Sequence, residues 1–285
     1  MKKVLVTGAT GFIGNYVVEE LLGRGCLVIA TSADEPKAKQ TPWFNRVNYL
    51  PFDLAAFDPT GDYYDFFQHP DLVIHLAWEG LPNYDSSFHF DINLPRHFAF
   101  LSNLIDNGLN DLTVTGTCFE YGIQEGSLKE DMPVFPNNFY AKAKNELRRK
   151  LEALSNDHPI SLKWLRLFYM YGEGQNPNSL FSQLDNALLR GEKQFNMSGG
   201  EQVRDYLPVE KVARYIVTVA LQKKVTGVIN ISSGQGITIK EFVKDYLKKK
   251  NKTITLNFGI HPYSVHEPMR FWGDHSKLMT IISES

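Results

Sequence analysis

The sequence predicts an α/β protein: a doubly wound parallel sheet with a smaller C-terminal α/β lobe. Three observations lead there. Short, continuously apolar runs alternate with helix-period stretches through the first two-thirds of the chain, as parallel strands do when crossover helices cover both faces. The first run ends in a glycine-spaced turn, Thr7-Gly-Ala-Thr-Gly-Phe-Ile-Gly14, that opens directly into a helical stretch. After Gly172 the texture changes, and Glu173-Gly-Gln-Asn-Pro-Asn-Ser179 reads as a loop.

Taken in order, the apolar runs place strands at Lys3–Thr7, Leu27–Thr31, Val47–Pro51, Leu72–Leu76, Leu112–Thr115 and Leu162–Leu167. Helical periodicity falls between them at Phe12–Arg24, Phe88–Asn107 and Asn138–Ser155. Right-handed crossovers would wind these into one sheet whose ligand crevice lies at the carboxyl ends of the strands. Past the loop, a helix runs toward Arg190, another begins at Pro208, a strand covers Val228–Ile231 and a helix begins near Thr238. We therefore expect a sheet domain over 1–172 and a lobe over 173–285, partly interleaved, with the chain crossing back near 205–225.

Composition bounds the function. The chain has 285 residues, 43% hydrophobic and 22% charged, ordinary for a globular protein with a sizeable core. A formal net charge of −2 gives no reason to expect nucleic acid or an anionic membrane as partner. No apolar run approaches the roughly 18 residues of a membrane helix, and the apolar stretch after Lys3 is too short for a signal peptide. Cys26 and Cys118 are the only cysteines, too few for a disulfide framework or a cysteine metal site. No metal is expected, and a cytoplasmic location is the default.

The glycine turn carries the first chemistry. A strand running into Gly8, Gly11 and Gly14 and then a helix brings backbone amides, and the helix N-terminus, to a pyrophosphate. Residues 1–172 then read as a Rossmann-type NAD(P)-binding domain, with Thr10, Phe12 and Ile13 of the same turn against the cofactor. The spacing is G-x-x-G-x-x-G rather than the commoner G-x-G-x-x-G, and such turns also arise for packing alone. NAD binders usually place an acid at the end of the second strand to bond the ribose 2′-hydroxyl. Here Val28-Ile-Ala-Thr-Ser-Ala-Asp34 puts Ser32 at that place, with Lys37 and Lys39 following. That favours NADP(H) over NAD(H); the alternative is that both lysines are solvated loop charges and Asp34 takes the ribose. Asp53 and Leu54, after the third strand, are candidates for the adenine, though a plain surface turn would look the same.

Tyr140 and Lys144 stand four apart in Phe139-Tyr-Ala-Lys-Ala-Lys144, on one face of a helix. A phenol titrates near pH 10, and a neighbouring ammonium would lower that value. A lysine-rich surface helix would produce the same pair by chance. The pair has company, however: Gly8/Gly11/Gly14, His75-Leu-Ala77, Asn93, Thr117 before Tyr121-Gly122, Arg166 and Arg204-Asp205. In order and spacing this set resembles the extended short-chain dehydrogenases/reductases, in their NAD(P)-dependent nucleotide-sugar epimerase/dehydratase branch, from Lys2 to about Lys277.

The resemblance implies that Tyr140 is the acid/base, that Lys144 tunes it and holds the nicotinamide ribose, and that Thr117 bonds the reacting oxygen. It implies cofactor contacts at Leu76, Ala77, Trp78 and Asn93. Arg204 matches the arginine that grips a nucleotide-sugar diphosphate; otherwise it would simply pair with Asp205. Asn176 falls where the same diphosphate is often contacted. Arg270 would be a second phosphate ligand, although Glu267-Pro-Met-Arg-Phe-Trp-Gly-Asp274 departs from the usual spacing. Where the 4,6-dehydratases carry Asp-Glu after the hydroxyl residue, this chain has Cys118 and Phe119, which argues against water elimination and leaves both as substrate-side residues.

Trp78, Glu79 and Tyr84 stand where many relatives continue His-Leu-Ala-Ala, and they could select the hexose; Trp78 could equally pack the lobe interface. This loop and Gly116-Thr-Cys-Phe-Glu-Tyr-Gly122 together resemble reductases of nucleotide-linked 4-keto-6-deoxy sugars. The leading expectation is thus NADPH-dependent reduction at C4, the runner-up an NAD-dependent nucleotide-sugar 4-epimerase, and the third a cofactor-sensing protein without catalysis. A homodimer is expected through Phe88–Asn107 and Asn138–Ser155, with Phe98, Phe100 and Leu104 either at that contact or in the core.

Overall fold

A computed structural model of the chain describes residues 1–263 and 267–284. Seven strands form one sheet: Lys3–Thr7, Leu27–Thr31, Asn48–Tyr49, Leu72–His75, Asp111–Thr117, Ser161–Leu167 and Gly227–Ile231. Numbered in that order, they lie 7-6-5-4-1-2-3 across the sheet, and every pairing is parallel. The order reverses beside the first strand, so the crevice forms above its carboxyl end.

Both faces are covered, which is why the strands are apolar throughout. Phe12–Gly23, Val209–Leu221 and Ser276–Ser283 pack on one face, burying Val17, Leu21, Ile216 and Leu278. Leu94–Asp106 and Phe139–Leu154 pack on the other, burying Phe100, Leu104, Leu147 and Leu151. Phe100 and Leu104 are fully enclosed, so they belong to the core and not to an outer contact; Phe98 is half-buried beneath the Lys150 ammonium. Among the described residues no helix is long and apolar enough to cross a membrane.

Several expected bounds shift for local reasons. The third strand shrinks to Asn48–Tyr49 at the sheet edge, where Pro51 has no N–H to give. The expected Phe88–Asn107 helix divides into a π-helical turn, His89–Asn93, and the helix Leu94–Asp106; Pro95 removes one N–H at the junction. In the last third the periodicity marks the helices better than the strands. Its helices Leu180–Leu189, Val209–Leu221 and Ile239–Lys249 are where expected. Four two-stranded pairings between distant short segments are not visible in any periodicity: Gly126–Leu128 with Phe271–Gly273, Tyr169–Tyr171 with Tyr206–Pro208, Gln194–Asn196 with Thr255–Asn257, and Val203–Arg204 with Ile237–Thr238. The return to the sheet runs beyond 225, since Gly227–Ile231 supplies the seventh strand and Ser276–Ser283 covers it.

Candidate active site

The glycine turn is built as the sequence requires. Gly8 has φ +68°, and a Cβ there would lie 2.8 Å from the Ala77 backbone. A Cβ on Gly14 would collide with the Gly8 carbonyl, so this glycine lets the helix sit on the turn. Gly11 faces open space except for one contact at 3.1 Å and is the N-cap of Phe12–Gly23. Its bare backbone at a helix N-terminus is of the kind that can receive an anion.

From this turn a groove of about 230 Å³ runs over the sheet's carboxyl edge. Thr7, Gly8, Thr10 and Gly11 line it with Thr31, Ser32, Asp53, Leu54, Leu76, Ala77 and Trp78. Glu79, His97 and Phe100 also line it. A second cleft of about 410 Å³ shares Gly8, Gly11, Leu76 and Trp78 with the first and continues past Phe12, Ile13 and Gly14. Tyr84, Thr117, Cys118, Phe119, Tyr140, Tyr169, Gln175 and Asn176 line its far side. Through these shared walls the two form one trough, with Tyr140 in its second part.

At the groove's outer end, Ser32 Oγ pairs with the Tyr49 hydroxyl at 2.9 Å. Lys37 is exposed and outside the lining; Lys39 is paired with Glu35 at 2.9 Å. The Asp34 carboxylate caps the short helix Glu35–Ala38 through the Lys37 N–H. Asp53 likewise accepts from the Ala55 N–H. Asn93 is fully buried and reaches neither pocket; its amide donates to the Glu79 carbonyl at 2.9 Å, fixing the loop after the fourth strand.

Tyr140 follows directly on the N-terminus of Phe139–Leu154, where Asn138 accepts from the Ala141 N–H at 2.8 Å as N-cap. Its own N–H donates to the Tyr84 carbonyl at 3.0 Å, and its side chain lines the same cleft as Thr117. Burial pushes the Tyr140 phenol up, so it stays protonated. Lys144 is buried, its ammonium donating to the Thr115 carbonyl at 2.9 Å and lying 3.9 Å from the Trp78 ring centre. Burial lowers its pKa to about 7. Lys144 is not among the groups acting on the phenol here; its ammonium rests on Trp78.

Thr117 is held by its surroundings. Glu120, fully buried, accepts from the Thr117 N–H at 2.9 Å, from Trp164 Nε1 and from Arg166 Nε at 2.9 Å. Arg166 thus serves the turn and not the cleft. Burial raises the Cys118 thiol far above its usual range, and Phe119 packs on Tyr84 and Tyr169.

Two residues expected at a diphosphate, Arg204 and Arg270, are not among the residues lining either cleft. Arg204 is buried, 2.9 Å from Glu267 and against the rings of Phe271 and Tyr169. It does not pair with Asp205, whose carboxylate accepts from the N–H groups of Ser233, Gly234 and Gly273. Tyr169, which does line the cleft, donates its hydroxyl to the same Glu267 at 2.6 Å. Arg270 is exposed, bridging to Val203 through backbone alone. Glu79 lines the first groove and not the second cleft, and pairs with Arg96 at 3.1 Å.

Sequence reasoning missed His89 and His97. Trp78 Nε1 donates to His89 Nδ1 at 3.1 Å, and Trp78 stacks on His97 with centroids 4.6 Å apart. Their spacing with Asn93, four and four, places all three on one buried helix face and was the available signal.

The model of the "NAD dependent epimerase/dehydratase family" matches residues 4–232. The dTDP-6-deoxy-L-talose 4-dehydrogenase (NAD(+)) of Aggregatibacter actinomycetemcomitans is 28% identical over 271 residues, covering 95% of this chain and 98% of that one. The UDP-glucose 4-epimerase of Bacillus subtilis is 26% identical, covering 90% and 84%. The structure of UDP-glucuronic acid 4-epimerase from Bacillus cereus with UDP-glucuronic acid and NAD superposes with a TM-score of 0.83 at 26% identity, over 99% of this chain and 93% of that one.

Proposed function

The chain belongs to the NAD-dependent epimerase/dehydratase family, and from that premise we propose that it interconverts a keto group and a hydroxyl at C4 of a nucleotide-linked 6-deoxyhexose, chiefly as a reductase. The observation that carries this is that Tyr140 and Thr117 line one cleft, which shares Gly8, Gly11, Leu76 and Trp78 with the groove at the glycine turn.

A nicotinamide cofactor supplies the hydride when bound, and the Gly8–Gly14 turn would hold its diphosphate. Thr117 orients the sugar oxygen against Tyr140. Tyr140 gives its proton to the oxygen as the carbonyl becomes an alkoxide, which requires the phenol to begin protonated, as burial ensures. Lys144, as ammonium, stabilises the phenolate left behind. Cys118 and Phe119 can neither give nor take the further proton that dehydration needs, so the sugar keeps its oxygens. The dehydrogenase resembling this chain over nearly its whole length supports this chemistry.

The NADP(H) preference suggested by Ser32 and Lys37 gains nothing from the groove, since Lys37 stands outside its lining. NAD appears in the names of the relatives, so we read the cofactor as NAD(H). Epimerases among those relatives favour a second reading, in which a tightly held NAD oxidises and then re-reduces C4. Mixing the purified protein with a nucleotide-linked 4-keto-6-deoxyhexose and NADH tests both. Stoichiometric NADH oxidation is the expected result. Bound NAD on purification, with UDP-hexose interconversion and no net NADH consumption, would establish the epimerase instead. We also infer a homodimer through Leu94–Asp106 and Phe139–Leu154; a monomer in sedimentation equilibrium would refute it.

A further inference from the structure

We propose that Trp78 is a positioning residue for Lys144, its indole being the seat that keeps the ammonium charged beside Tyr140, and not a contact for the sugar. The proposal rests on the reading of Tyr140 and Lys144 as the reaction centre. Lys144 has an acceptor in the Thr115 carbonyl at 2.9 Å, and its Nζ lies 3.9 Å from the Trp78 ring centre. In a buried site a ring face at that distance is a substantial partner for a cation.

The ring is fixed on several sides. Its Nε1 donates to His89 Nδ1, so His89 carries its proton on Nε2 and donates it to the Asn83 carbonyl at 2.9 Å. Its face stacks on His97. His97 Nδ1 is bound to His75 Nε2 at 2.7 Å, and His75 Nδ1 to Thr7 Oγ1 at 2.8 Å. A ligand for the sugar would need a free face, and these contacts leave the ring little freedom to turn.

Beside the ring and the Thr115 carbonyl, the Glu120 carboxylate in the turn after the fifth strand also favours the Lys144 charge, although its hydrogen bonds go to Arg166, Trp164 and the Thr117 N–H. His75 from the fourth strand and His89 and His97 from the His89–Asp106 segment are held neutral, by burial first and by the Lys144 charge as well. Tyr140, on the same helix as Lys144, is protonated.

Replacing the indole by an apolar side chain without a π face removes support from the ammonium alone, so the Lys144 pKa must fall. Trp78→Leu and Trp78→Phe are compared in the free protein by following the lysine ¹³Cε resonances against pH, with Lys144→Met to assign the signal. The Leu variant is expected to titrate about one pH unit below wild type, the size of a buried cation–π contact. The Phe variant is expected to recover most of that shift. Circular dichroism and cofactor titration establish that each variant is folded. An unshifted Lys144 in the Leu variant, or equal shifts in Leu and Phe, overturns the proposal. A Leu variant whose only defect is a raised KM for the sugar makes Trp78 a substrate contact and overturns it too. Full turnover by Tyr140→Phe would instead sink the reading of the reaction centre, whatever Trp78 does.

Discussion

Lys144 shows how a functional residue is held at a cost to the fold. Its pKa falls from 10.5 to about 7 on burial, so between those values the unfolded chain binds a proton the folded one does not. Stability therefore rises with pH across that window, and the penalty is fully present below about pH 7. Lys144→Met should stabilise the free protein by roughly 1–3 kcal/mol at pH 6.5, an advantage that shrinks toward pH 10. Urea unfolding at the two pH values measures it; an advantage independent of pH would mean that packing, and not charge, is at issue. Tyr140→Phe removes only the hydroxyl. It should reduce turnover by about 10²- to 10⁴-fold while leaving cofactor affinity, followed by tryptophan fluorescence, within twofold. A loss of both would point to a collapsed cleft.

At the scale of elements, the site depends on how two segments begin and end. Asn138 satisfies the first turn of the helix that presents Tyr140 two residues later. Asn138→Ala should cost about 1 kcal/mol of stability and lower kcat several-fold, because the frayed turn is the one bearing the phenol; Asn138→Ser, which restores a capping oxygen, should recover both in melting and rate assays. The glycine turn and the Tyr140/Lys144 pair were legible because their meaning lies in spacing within a single element. Ser32 and Thr117 were legible as strand ends for the same reason. What the sequence could not show rests on contacts across the chain: Arg204 meets Glu267 63 residues away, and Trp78 meets Lys144 from another strand's end. A residue's type shows that a charge needs a partner, but only tertiary packing chooses which. Hence Arg204 was expected at a phosphate or on Asp205, while the structure gives it Glu267 and leaves Asp205 to cap backbone amides.

For the whole molecule, the decisive feature is that one continuous trough joins the sheet's edge to the segment that follows the sixth strand. Gly8, Gly11 and Leu76 from the sheet side and Tyr169, Gln175 and Asn176 from beyond the sixth strand wall the same cleft. A ligand filling it binds the native arrangement and has no equivalent site on the unfolded chain, so it must raise the melting temperature by mass action. At a hundredfold excess over Kd the gain is about 2.7 kcal/mol, or roughly 4 °C or more for a chain of this size. NAD(H) should produce that shift at lower concentration than NADP(H), because no lysine lines the groove beside Ser32 to meet a 2′-phosphate. Adding a nucleoside diphosphate to the cofactor complex should raise it further, as the cleft's second half fills. Differential scanning calorimetry with each dinucleotide decides the matter: an equal or larger shift with NADP(H) would return Lys37 to the cofactor site, and no shift with either would show that the glycine turn is there for packing alone.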